Sequence, residues 1–272
     1  MRAFFRAIDD FLHGRGVFAV KAPLSSRLRW LFILLVICGF LYGVVMGTYS
    51  GLTGGRFHQL LYSGVKVPLL LLVTFALCLP SFFVVNMIAG LGDDFGQALR
   101  ALVATQSCVT VVLAGLAPVT AFWYVSCGDY RLAVLFNGLI FAIASVSAQV
   151  VVRRYYGPLI RRSARHRQLL WAWLFLYAFV GIQMGWVLRP FIGDPDLPVA
   201  FFRSGAWGNA YVEVARMVVA TARRLAPNPL AWALLIWVLA IPIGSIAILV
   251  HILSPRKNRI RLDGGTGTRE RQ

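Results

Sequence analysis

Charge and chemical signatures are what this chain has least of. Only 14% of its 272 residues are charged, where a soluble domain carries roughly a quarter, and that excludes an ordinary soluble globule. Cysteine is rare: Cys38, Cys78, Cys108 and Cys127 are scattered, three of them inside apolar runs, with no C-x-x-C and no His/Cys cluster. Neither a disulfide framework nor a metal site is expected. His13, His58, His166 and His251 are spread along the chain near span ends or loops and read as interfacial residues, not ligands. No nucleotide-binding glycine loop, no H-E-x-x-H and no G-x-S-x-G occurs, so no cofactor and no catalytic residue is assigned.

What is abundant is apolar sequence, 59% of the chain, gathered in long runs. That pattern predicts an all-α, polytopic transmembrane helical bundle. Six spans are expected, at 28–48, 67–89, 101–125, 132–152, 169–188 and 230–253, each near the ~20 residues that cross the hydrocarbon core. The net charge of +17 does not point to nucleic acid, because no basic run is interleaved with an aromatic platform. The basic residues instead follow the loops. With six spans, 19 of the 27 fall on one side, in the N-terminal segment, the 153–167 region, the tail and Arg100. The positive-inside rule places that side, and both termini, in the cytoplasm of an inner (plasma) membrane.

Residues 1–27 form a cytoplasmic segment with Phe4, Phe5, Ile8, Phe11 and Leu12 on one helical face and Arg2, Arg6, Asp9 and Asp10 away from it. Such a helix lies in the membrane interface or packs on the protein's own cytoplasmic face. No cleavable signal peptide is evident, so the first span is expected to act as a signal anchor. The membrane domain covers 28–253, and the basic tail, 254–272, reads as disordered.

Prolines interrupt three spans, at Pro80, Pro118 and Pro242. Each removes an N–H and frees a carbonyl one turn earlier, for Pro80 that of Ala76, with Thr74 and Ser81 near enough to help. Broken helices line many transporter sites, although proline often only bends a membrane helix. The polar residues within spans are amides, Asn86, Gln106, Asn137, Gln149 and Gln183, expected to bond between helices. The absence of ionisable residues there argues against a proton relay or voltage sensor. Gly43/Gly47, Gly181/Gly185 and Ala144/Ala148 have the spacing of close helix contacts. Asp93 and Asp94 form an acidic pair at the cytoplasmic surface. The pair either solvates the loop, caps the following helix, or holds a magnesium ion as in membrane enzymes of phosphorylated substrates.

The most organised irregular stretch follows the fifth span. Gln183, Trp186 and Pro190 share a helix face, Arg189 stands at the span end with Asp194 and Asp196 close in sequence, and Pro190, Pro195 and Pro198 stiffen the connection. Trp207, Tyr211, Val214, Val218 and Leu225 then recur at helical spacing as an amphipathic helix within a non-cytoplasmic region, 189–229. Gln183, Trp186, Arg189, Asp194, Asp196, Arg203 and Trp207 are the candidate ligand or partner surface; the other reading is a structural cap over the outer span ends.

The segments KVPLLLLVTFALCLPSFFVVN and GIQMGWVLRPFIGDPDLPVAFFR resemble a family of uncharacterised six-span bacterial integral membrane proteins. The resemblance implies a shared architecture and no catalytic residues. With the missing signatures, it leads to a non-enzymatic subunit or scaffold of a membrane complex, with protein partners or a homo-oligomer besides the lipid bilayer and no nucleic acid. A small-solute transporter or permease subunit, and a membrane-embedded enzyme at the cytoplasmic face, stand as alternatives.

Overall fold

The computed structural model describes residues 2–15, 24–51, 56–194 and 196–212, together with Arg216 and scattered positions between 232 and 240. Most of the expected sixth span, Pro242, most of the amphipathic helix after Trp207, and the tail lie outside these residues. Up to residue 187 the described residues form six helices: α1 (Arg2–His13), α2 (Leu24–Gly47), α3 (Phe57–Ile88), α4 (Phe95–Ser126), α5 (Tyr130–Arg162) and α6 (Arg165–Val187). No strand occurs among the described residues, and α2 to α6 are each long and apolar enough to cross a membrane. The chain is an all-α multi-pass bundle. The 32-residue α3 and α4 run about 48 Å at ~1.5 Å per residue, longer than the ~30 Å hydrocarbon core. They therefore extend beyond the expected spans.

The helices pack in the spatial order α6, α3, α2, α4, α5, with α2 in the middle. The two outermost, α5 and α6, are adjacent in sequence across only Ser163 and Ala164, so they start close at one end. They touch little beyond it. The bundle thus has a closed basic end, carrying α1 and the 89–94 and 163–164 connections, and a loop end, carrying 48–56, 127–129 and 188–209.

Two of the three small-residue pairs form packed contacts. A Cβ on Gly43 would stand 2.2 Å from the Ser63 carbonyl oxygen, and one on Gly47 2.7 Å from the Leu60 Cα, so α2 and α3 meet backbone to backbone. Ala144 and Ala148 are buried in the core. Gly181 and Gly185 differ: a Cβ on Gly181 meets only Thr74 at an ordinary 3.6 Å, and one on Gly185 meets nothing within 4 Å. The amides also divide. Asn137 on α5 accepts from the Tyr42 hydroxyl on α2 and donates to that of Tyr124 on α4, and Gln106 accepts from Tyr177 on α6. Asn86 and Gln149 instead donate to carbonyls of their own helices, Phe82 and Ser145. Pro80 and Pro118 lie inside α3 and α4, which continue unbroken through them. The Thr74 hydroxyl is buried without a partner, so it does not serve the carbonyl that Pro80 frees.

At the basic end, α1 is docked on the bundle. Phe11 is fully buried, Phe4 and Ile8 pack on the core, and Arg154 donates to the Leu12 carbonyl; Phe5 and Leu12 stay exposed. His166 is not interfacial but fully buried. Its Nε2 lies 3.1 Å from Asp94 Oδ2, while Arg162 donates to Oδ1 at 3.0 Å. Asp94 occupies the N-cap position of α4 without a side-chain capping bond, because both carboxylate oxygens are turned to α5 and α6. It is a clamp across the basic end, and among the described residues no group of three or more His, Cys, Asp or Glu is placed to hold a metal.

Two outcomes follow. Gly43→Ala forces α2 away from α3 and should cost about 1–3 kcal/mol, whereas Gly185→Ala should be neutral or stabilising by up to about 1 kcal/mol. Thermal unfolding in detergent ranks the two; equal midpoints would refute the glycine seam. Asp94→Asn should cost about 1–3 kcal/mol by stranding buried His166, with exposed Asp93→Asn silent in the same measurement.

Candidate functional site at the loop end

The start of α3 carries a polar face below its apolar run. Arg56, Gln59, Ser63 and Lys66 recur at intervals of three and four, so they stack along one side of the helix. Gln59, Ser63 and Lys66 are each buried to 1% exposure or less. A buried polar group needs a partner, and here the partners are mostly backbone carbonyls of the chain leaving α6. Lys66 Nζ donates to the Pro190 carbonyl at 2.8 Å, Ser63 Oγ donates to that of Phe191, and Arg56 donates to that of Asp194 at 3.3 Å. Gln59 donates to Ser63 Oγ at 2.9 Å. Lys66 also faces the Phe201 ring, 4.8 Å from its centroid, a cation–π contact. No ion pair to Lys66 is present among the described residues.

A second set of bonds comes from α6. Gln183 uses both ends of its amide, donating to the Gly208 carbonyl at 3.0 Å and accepting from the Ala210 N–H at 3.1 Å. The Trp186 indole donates to the Gly205 carbonyl at 3.3 Å, and Arg189 donates to that of Ser204 at 3.3 Å. The Arg189 guanidinium lies on the Trp186 ring, 3.3 Å from its centroid. Gly205 adopts φ +75°, a left-handed conformation that favours glycine, and this turns 204–207 back over the helix end. The chain then enters helix at 210, where Asn209 Oδ1 accepts from the Tyr211 and Val212 N–H groups, a side-chain N-cap. Tyr211 stacks on Phe179 with centroids 4.9 Å apart and donates to its carbonyl. From 190 to 212 the chain is thus a cap fastened to α3 and α6.

Because α5 and α6 separate toward this end, the cap roofs a cavity of about 830 Å³. Its walls are apolar, from Val134, Gly138 and Phe141 on α5 and Ile182 and Gly185 on α6, with Met46 and Leu70 behind. Its roof and upper wall carry Arg189, Asp194 and Arg203. Asn137 also borders it, with its amide already bonded to Tyr42, Tyr124 and the Ala133 carbonyl. Beside the roof, Tyr49 packs edge-on to Tyr124 at 5.1 Å. Burial first, then Cys127 and Asp129 nearby, pushes the Tyr49 phenol up to about 12, so it stays neutral at physiological pH.

Of the seven residues expected to form a surface, four line this one cavity: Trp186, Arg189, Asp194 and Arg203. Gln183 holds the cap beside it. Asp196 and Trp207 are not brought in. Asp196 is exposed and its N–H closes a turn on Asp194 Oδ1 at 3.0 Å, while Trp207 is 86% exposed, because the turn at Gly205 directs it outward. The residues not anticipated are Lys66, Ser63, Gln59 and Arg56. Their signal was present as a polar stripe of helical period ahead of VPLLLL. Compared with protein-family models, with curated proteins and with solved structures, the chain matches none. The site therefore rests on its own geometry.

Gln183→Leu removes two cap bonds worth roughly 1 kcal/mol each. Tryptic cleavage after Arg203 should accelerate severalfold in that variant and stay unchanged in Gln149→Leu, whose amide bonds only within α5. Equal cleavage in both would show that Gln183 does not hold the cap.

Proposed function

We propose that the chain is a multi-pass protein of the bacterial inner membrane that binds a ligand in the capped cavity rather than transforming one. The observation that carries this is the cavity itself: about 830 Å³, within the ~300–1,000 Å³ of small-ligand sites, apolar with a few convergent polar groups. The positive-inside rule puts the basic end in the cytoplasm, so the cavity opens at the outer leaflet. A binding subunit of a transport or assembly system fits this placement. The unbroken α3 and α4 give no support to a broken-helix transport path. Asp94, engaged by His166 and Arg162, gives little support to a metal-dependent enzyme at the cytoplasmic face.

A second reading, a subunit or scaffold of a larger complex, is favoured by one feature. Phe175, Phe179 and Ile182 form an exposed stripe along α6, at 76%, 52% and 46% exposure. Such a stripe suits lipid or a neighbouring helix.

Purification from native membranes in mild detergent, read by native mass spectrometry, separates the two. Ligand binding predicts a stoichiometric small molecule on the wild-type chain that is lost from Gly185→Leu, which places a side chain in the cavity. Stoichiometric partner proteins with an empty cavity would replace the binding reading with the scaffold one.

A further inference from the structure

We infer that the cavity's ligand is an anionic amphiphile taken from the surrounding leaflet, its chain between α5 and α6 and its phosphate head on Arg203 and Arg189. This inference rests on the reading of the cavity as a binding site, and specifies what fills it.

The slot is deep. On α5 the lining runs from Tyr130 to Phe141, eleven residue steps, or about 16 Å along the helix axis. That is about half of a ~30 Å hydrocarbon core, the reach of one leaflet. A compact polar solute has no use for a slot of that length with apolar walls, whereas a lipid chain fills it. The slot is also open to the side. Val134, Ile182 and Leu197 at the rim are 40%, 46% and 46% exposed, so the slot opens sideways between two helices that face lipid.

The polar end of the slot carries a positive excess. The lining carries the two guanidinium groups of Arg189 and Arg203 against the single carboxylate of Asp194. Behind the wall stands Lys66, fully buried and held by a carbonyl rather than a carboxylate. A positive excess at the membrane edge of an apolar slot favours an anionic head, and planar guanidinium groups match phosphate oxygens. Polar charge at one end and a leaflet-deep apolar wall at the other describe an amphiphile end to end.

The test uses the full chain, reconstituted in vesicles of equal parts phosphatidylglycerol and phosphatidylcholine, extracted in mild detergent and weighed by native mass spectrometry. The wild type should retain one phosphatidylglycerol in preference to phosphatidylcholine by about tenfold, the scale of one charge-assisted contact. Arg203→Gln should bring the two lipids near parity with an unchanged melting temperature. Gly185→Leu should lose both lipids, and Val134→Trp, filling the slot from α5, serves as a second blocking variant should Gly185→Leu fail to fold. Equal retention of both lipids by the wild type would overturn the anionic assignment while leaving a binding cavity. A preference that survives Arg203→Gln and both blocking variants would place the lipid on the outer surface and overturn the inference. So would displacement of the lipid by inorganic phosphate at millimolar concentration, which would identify a soluble anion. A cavity that retains neither lipid nor any other molecule would defeat the binding reading itself.

Discussion

A lysine ammonium buried in a membrane bundle must be given an acceptor, and Lys66 is given the carbonyl of Pro190. Much of the loop end depends on that constraint. An unpaired buried charge is far more costly than an unpaired hydroxyl, so the segment leaving α6 is drawn toward α3 at that point. Once Pro190 is placed, Phe191 falls within reach of Ser63 one turn earlier on α3, and Asp194 within reach of Arg56 beyond it. The polar face of α3 thus acts as a ladder on which the backbone of the cap is laid, with Lys66, Ser63 and Arg56 each holding one carbonyl. Irregular backbone next to lipid is tolerable only where its polar groups are satisfied by protein, and the ladder does that for one edge of the cap.

The opposite end of the bundle shows why the cap is needed. There α5 and α6 are joined by two residues and clamped by Asp94 to the α3–α4 connection. Toward the loop end, α2 is fixed to α3 by the backbone contact of Gly43 and Gly47. Two rigid helices held together at one end and packed against different partners, α4 for one and α3 for the other, separate at the far end. The gap between them is a consequence of this arrangement rather than of a missing side chain. Gly185 and Gly138 on the facing walls leave it wide.

The apolar runs made the five described spans legible in sequence, because ~20 apolar residues have few other fates in a membrane protein. The ends were less legible: α3 begins at Phe57, ten residues before its apolar core, since a polar stripe with helical period carries no hydropathy signal. Glycine spacing alone does not distinguish Gly43/Gly47, pressed on backbone, from Gly181/Gly185, of which the first meets only the Thr74 side chain and the second open space. The difference lies in what stands opposite, and that is set by packing. In the candidate surface, Trp186 and Arg189 were legible because an aromatic and a cation at a span end have known uses. The loss of Asp196 and Trp207 from it follows from the turn at Gly205 and the turn on Asp194, which decide direction in a way that proximity in sequence does not. The burial of His166 is not legible because a position near a loop says nothing about exposure once Tyr156 on α5 and Asp94 in the 89–94 connection converge on it.

A structural cap and a cavity are not alternatives here, because the bonds that make the cap also shape the cavity beneath it. Gln183, Trp186 and Arg189 each grip a carbonyl of the 204–208 turn. In doing so they bring Arg203 over the gap between α5 and α6 and lay the Arg189 guanidinium on the Trp186 ring. A guanidinium held on an aromatic face and bonded to backbone loses little further side-chain freedom on meeting a ligand. The groups that close the bundle are thereby held fixed above the cavity. The cap keeps Ile192, Ala206 and Ala210 inside, as a lid does, and in addition places two arginines and an aspartate along an apolar slot.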